Sequence, residues 1–199
     1  PPMKATFLFL ILLLSTLSLP PSPTHSVTVA ALTPRSLQNR AEDYNHLGTT
    51  KFQRGDNQGA ISDFDRAIAI DPKYAEAYTN RGVAKFGLGD KQGAIADYDR
   101  AIAIGSQDVL VFYNRGVAKF ELGDNQGAIM DFNRAIAINP QDAESYSNRG
   151  AVKLAIGDRS GAIADLNQGA RLFRQQGEMT SYQKTIDLVR QASQKQGKR

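Results

Sequence analysis

Three arginine–carboxylate pairs are the first places in this sequence where chemistry could sit. Arg81, Arg115 and Arg149 are each followed at the same interval by an aspartate, Asp97, Asp131 and Asp165. A guanidinium beside a carboxylate can orient a substrate or polarise a reacting group. Recurrence at a constant interval favours a plainer role, a salt bridge between two helices of one structural unit. Other chemistry-bearing residues are sparse. The chain has no cysteine and two histidines, His25 and His46. That removes disulfides, thiolate nucleophiles and Cys-ligated centres, and leaves too few imidazoles for a His-based metal site. No nucleophile stands beside a base, and no GxxxxGK[ST] run is present to cradle phosphate. The sequence therefore predicts no catalytic residue, no metal, no cofactor and no small-molecule substrate.

The elements that would position these side chains are legible from self-similarity. Aligned on "RG" and "LGD", the chain falls into four copies of 34 residues, 41–74, 75–108, 109–142 and 143–176. Gly48, Gly82, Gly116 and Gly150 hold the eighth position, and Gly55-Asp56, Gly89-Asp90, Gly123-Asp124 and Gly157-Asp158 the fifteenth and sixteenth. Ala60, Ala94, Ala128 and Ala162 hold the twentieth. Each copy reads as two helices. Tyr78, Gly82 and Phe86 share a helix face that ends in glycine, a residue that enters the left-handed region without steric cost. Asp90 has the chemistry of an N-cap, and Ala94, Ile95, Tyr98, Ala101 and Ile102 recur at helical spacing beyond it. Pro72 and Pro140 stop second helices in copies one and three; Gly105-Ser106 replaces proline in copy two and predicts a looser junction. Glycine at position eight and alanine at twenty let two helices approach, while the large residue at twenty-four (Phe64, Tyr98, Phe132, Leu166) fills the space beside them. One hairpin cannot bury its apolar face alone, so the copies must stack.

With these positions in hand, the chain resembles the tetratricopeptide-repeat (TPR) family, on "YTNRGVAKFGLGDKQGAIADYDRAIAI" and its sisters over residues 41–176. The flavour of the repeats is similar to those abundant in cyanobacterial proteins. The resemblance implies an all-α fold, a right-handed α-solenoid of four 34-residue helix-turn-helix repeats with a concave groove lined by first helices. It also implies a non-catalytic scaffold or adaptor that holds a protein segment, extended or helical, and could assist assembly of a larger complex.

On that geometry, positions 2, 5, 6, 9, 12 and 13 of first helices face the groove. Position six carries His46, Asn80, Asn114 and Asn148; amides there could pair with the backbone of a bound peptide, or simply be common residues of that helix surface. Position nine carries Val83 and Val117, an apolar floor. Phe52, Phe86 and Phe120 at position twelve read either as groove or as core between copies. Position five carries Asn45, Thr79, Tyr113 and Ser147. Lysine and arginine are absent from positions two, five and six, so a clamp for a chaperone tail's carboxylate is not supported. Copy three departs most: "DVLVFYNRG" puts Leu110 and Tyr113 at groove positions, as a specific anchor or as a greasier helix packing on copy two. The candidate partner-binding residues are thus His46, Thr79, Asn80, Val83, Leu110, Tyr113, Asn114, Val117, Ser147 and Asn148.

The ends need closing. Residues 31–40, with Thr33-Pro34 as N-cap and first helical residue, extend the first helix; 177–194, with Met179, Tyr182, Ile186 and Val189, form an amphipathic C-terminal capping helix; 195–199 form a basic tail. The net charge of +4 is uneven, since residues 171–199 are strongly basic and the repeats nearly neutral. A tail of this kind could touch an anionic surface, and nucleic acid is the less expected partner. At the other end, Lys4 precedes an apolar run over 5–19 that is shorter than a spanning helix needs, then a Pro/Ser-rich stretch. This reads as a secretory signal over residues 1–30, predicting export to a periplasm or thylakoid lumen. The alternative is a retained apolar helix anchoring an accessory subunit of a membrane complex.

Overall fold

The computed structural model describes residues 33–194, so the signal reading over 1–30 and the basic tail over 195–199 lie outside the described residues. Among the described residues the secondary structure is entirely helical: α1 Pro34–Gln53, α2 Asn57–Ile70, α3 Ala75–Gly87, α4 Lys91–Ala103, α5 Val109–Glu121, α6 Asn125–Ile138, α7 Ala143–Ala155, α8 Arg159–Gln176 and α9 Met179–Gln194. None of these helices is long and apolar enough to cross a membrane.

Local chemistry sets the helix ends. Asp56, Asp90, Asp124 and Asp158 each accept from the backbone N–H of the glycine three residues on, satisfying an amide that the helix cannot. Thr33 caps α1 in the same way through Ser36 N–H at 3.2 Å. Between the helices of a pair the chain turns through a glycine at φ +82° to +87° (Gly55, Gly89, Gly123, Gly157). The second helices of copies one and three end at Ile70 and Ile138, ahead of Pro72 and Pro140. The junction after copy two is closed differently rather than loosely. Gly105 enters the left-handed region, its N–H donates to Ile102 C=O at 2.9 Å, and Ser106 N–H donates to Ala101 C=O at 3.0 Å, the paired bonds that terminate helices without proline.

Packing follows from residue size. A Cβ on Gly82 would lie 2.6 Å from the Tyr98 ring, and one on Gly116 would lie 2.9 Å from the Phe132 ring. Glycine at position eight is therefore what lets the aromatic at position twenty-four lie flat between the helices. Alanines 60, 94, 128 and 162 are fully buried at the same crossing. Each core is completed by the next copy: Ala84 joins Ala60 and Phe64, Val111 joins Tyr78 and Tyr98, and Val152 joins Phe132. A single pair would leave those rings partly wet, at about 1.5–3 kcal/mol per large apolar side chain. Helix α9 supplies this closure for the last copy, placing Tyr182 against Leu172 and Phe173.

Consecutive helices pack antiparallel throughout, and α1, α3, α5, α7 and α9 also touch one another in series, whereas α2, α4, α6 and α8 do not. A stack whose first helices are closer together than its second helices must bend toward the first. The result is an α-solenoid whose inner face is made by first helices.

Candidate functional site

The inner face is best built outward from what holds it. Arg81 Nε and Nη2 donate to the two oxygens of Asp97 at 2.9 and 2.5 Å, joining α3 to α4. Arg115 does the same with Asp131 and Arg149 with Asp165. Lys85, Lys119 and Lys153 each add a contact at 2.8 Å to the same carboxylates. The remaining guanidinium nitrogen of each arginine reaches back to the preceding copy, to Asp65, Asp99 and Asn133, each at 2.5 Å. These groups are consumed by structure, and none is left to act on a substrate. Burial alone would push Asp165 up, but the bonds and charge of Arg149 and Lys153 outweigh it and hold its carboxyl below the usual range. For Arg115, burial works against the charge, and the bonds from Asp131 and Asp99 reverse it, raising its pKa. In copy one Leu47 replaces the arginine, and Asp63 is met by Lys51 at 2.5 Å and Arg66 at 3.1 Å.

The position-six amides are not a uniform ladder. Asn80 Nδ2 donates to Asn45 Oδ1 at 3.0 Å, and Asn148 Nδ2 donates to the Tyr113 hydroxyl at 3.0 Å. Each therefore ties its helix to the first helix of the copy before. Asn114 has no such bond among the described residues. The residue at the matching place is Thr79, a short side chain whose hydroxyl lies against its own helix and donates to Ala75 C=O at 3.0 Å. His46 lies exposed at the start of the series.

The other predicted residues divide. Thr79 is buried, and Ser147 faces Thr185 of α9 at 3.4 Å; both belong to the inter-helix packing rather than the open surface. Thr79 bonds within its own helix and Ser147 meets α9, so neither hydroxyl stands free on the inner face. Val83 and Val117 are half-buried, one side in the core and one on the inner face. Tyr113 lies against Phe132 with ring centroids 6.0 Å apart; burial, then the charge of Glu144, raises its phenol pKa. Phe52, Phe86 and Phe120 pack against the cores, which settles position twelve as mainly inter-copy core. Leu110 is 57% exposed.

Asn45, at position five of copy one, is not among the candidate residues, yet it holds a network together. It is buried, accepts from Asn80, and donates to the Tyr74 hydroxyl at 3.2 Å and to Glu76 Oε1 at 3.0 Å. The sequence signal was an Asn–Asn pair one residue longer than the repeat. The backward reach of the arginines had a signal too, the column Asp65, Asp99, Asn133.

What remains open is therefore centred on α5. Leu110, Asn114 and Val117 follow one another at helical spacing on one face. They are flanked by Glu76 and Asn80 on α3 and by Glu144 and Asn148 on α7. This surface has an apolar knob and an amide with donors to spare, and no group of His, Asp or Glu that could hold a metal ion is found among the described residues.

Comparison with known proteins agrees with this architecture. The family profile described as TPR repeat matches residues 48–89 and 118–157, and one described as tetratricopeptide repeat matches 75–106. No curated protein is matched. Among solved structures, a crystal structure of MamA protein is similar at 22% identity, covering 80% of this chain and 95% of that one with a TM-score of 0.63. The first TPR of Spaghetti (RPAP3), bound to the HSP90 peptide SRMEEVD, is similar at 24% identity over 60% of this chain and 94% of that one, TM-score 0.59. The second TPR domain of human RPAP3, in complex with the HSP70 peptide SGPTIEEVD, is 25% identical over 61% and 98%, TM-score 0.55.

Proposed function

The chain carries tetratricopeptide repeats, and from that premise we propose that it is a non-catalytic adaptor holding a segment of another protein against the inner face around α5. One observation carries this reading: a leucine stands 57% exposed where the corresponding residues of the neighbouring copies are glutamate. At that exposure Leu110 adds little to the core, and beside it the Asn114 amide has no partner among the described residues. Both are explained by a partner that covers them. Two of the similar structures hold peptides, which supports a segment as the occupant. The apolar run at 5–19 supports a place of work outside the cytoplasm, in a periplasm or thylakoid lumen, where the adaptor would aid assembly of a larger complex.

The test is capture from the native envelope fraction, comparing the wild-type chain with Leu110→Ser. Wild type is expected to retain a specific protein that the variant loses, with equal helicity and melting for the two. Equal capture by both would sink the proposal. N-terminal sequencing of the purified native protein, expected to begin near Ala31, checks the export reading; a start at Met3 would favour a retained anchor.

A further inference from the structure

The partner's chemistry can be read from what surrounds Leu110. The second position of the first helices runs Glu42, Glu76, Leu110, Glu144, and all four are exposed. Asp108 is exposed at the start of α5, and half-buried Asp142 precedes α7. One oxygen of Asp142 is buried without a hydrogen-bond partner among the described residues. The basic side chains of α3, α5 and α7 are turned away and engaged: Arg81, Lys85, Arg115, Lys119, Arg149 and Lys153 all bind the carboxylates of second helices. The inner face around α5 thus presents Leu110, with half-buried Val83 and Val117 beside it, within a rim of acids that form no salt bridge among the described residues.

Helix energetics account for the acids at these helix starts but not for the exposed leucine. Glutamate in a first turn is favoured by the helix dipole, and α3 and α7 have it. In α5 the acid sits two residues earlier, where the Asp108 carboxylate accepts from Leu110 N–H at 3.0 Å, so the helix end is satisfied without a charge at position two and the leucine there serves no helix-end need.

We propose that the segment bound across α3, α5 and α7 is cationic, with lysine or arginine on both sides of one buried apolar side chain, the apolar group seated on Leu110 and Val117 and the charges on Glu76 and Glu144. This rests on the adaptor reading above and adds the sign of the partner. The columns of α3 and α7 are two helix spacings apart, about 20 Å, which about seven residues of extended chain span. An acidic tail ending in a free carboxylate would meet like charge here, with no basic residue at positions two, five or six to receive it.

Fluorescence anisotropy on the full chain tests this with three labelled, C-terminally amidated peptides: Gly-Lys-Lys-Leu-Lys-Lys-Gly, its Glu-for-Lys counterpart, and the lysine peptide with Ser for Leu. The lysine–leucine peptide is expected to bind, and the other two about tenfold or more weakly. Leu110→Ser should weaken it about tenfold, the scale of losing a central apolar anchor. Glu76→Gln with Glu144→Gln should weaken it severalfold, as should raising salt from about 50 to 300 mM, because exposed pairs are screened. Glutamine keeps the acceptor that Glu76 offers Asn45, so melting is expected to be retained. If the acidic peptide binds as tightly as the basic one while Leu110→Ser weakens both, the charge assignment is overturned and the adaptor face stands. If the basic peptide binds but ignores Leu110→Ser, both readings fall. Absence of any binding by the basic peptide overturns the charge assignment.

Discussion

Replacing Gly82 by alanine sets two effects of comparable size against each other, and the structure decides between them. In a helix interior, alanine is better than glycine by about 0.8–1 kcal/mol. Here the new Cβ would lie 2.6 Å from Tyr98 Cε1 and 3.0 Å from Cδ1 and Cζ, where unstrained carbons sit at roughly 3.5–4.0 Å. The ring must therefore retreat by about 1 Å. It has nowhere to go: Tyr98 is 1% exposed and packed among Tyr78, Ala94, Ala101 and Val111. Overpacking of this kind costs about 1–3 kcal/mol, so the net effect should be a loss of up to about 2 kcal/mol despite the better helix former. For a chain of this size each kcal/mol lost lowers Tm by about 2–4 °C. Thermal unfolding followed by circular dichroism measures it. Gly82→Ala should melt lower, and adding Tyr98→Leu should not relieve it, since in copy four a Cβ on Gly150 would still lie 2.8 Å from Leu166 Cγ. Gly123→Ala makes a useful contrast. Nothing lies within 4 Å of its Cβ, but its φ is +86°, so any loss there comes from the backbone. A Gly82→Ala chain that melts higher than wild type would refute the close-approach argument.

The ion-pair network gives a second expectation. Asp131→Asn leaves Arg115 and Lys119, both mostly buried, without their shared carboxylate, and should cost about 1–3 kcal/mol in urea unfolding, more than Asp99→Asn, which removes only the exposed arm. Acid should destabilise the chain through Asp165: its folded pKa lies below the usual 3.8, so its contribution is complete above that value and is lost as pH falls through the depressed one. Urea midpoints measured from pH 5 to 2 should show that fall, and Asp165→Asn should flatten it. Glu144 has the opposite sign. Burial, then Asp142 and Glu178, raise its pKa, so Glu144→Gln should leave stability at neutral pH equal or higher. Ending the chain before Met179 uncovers Leu172 and Phe173; the shortened protein should bind a hydrophobic dye and melt lower than the full chain.

Residues close in sequence carried most of the fold. Asp56 and Gly59, or Gly89 with Asp90, lie within one turn of each other, so their capping and turning chemistry is complete in the string of letters and repeats at a fixed interval. The same is true of the stacking requirement, because glycine at eight and a ring at twenty-four can meet only if two helices cross there. What the string could not supply is which inner-face groups are already taken. Asn80, Asn114 and Asn148 are the same residue at the same position, yet Asn80 donates to Asn45 and Asn148 to the Tyr113 hydroxyl, while Asn114 makes no such bond to Thr79, whose hydroxyl lies against its own helix at Ala75 C=O. Ser147 reads as a groove residue until α9 is seen against it. These outcomes depend on bonds about 3 Å long between helices of different copies. A shift in how one hairpin leans on the next would exchange a free amide for an engaged one, and only the tertiary structure sets that lean.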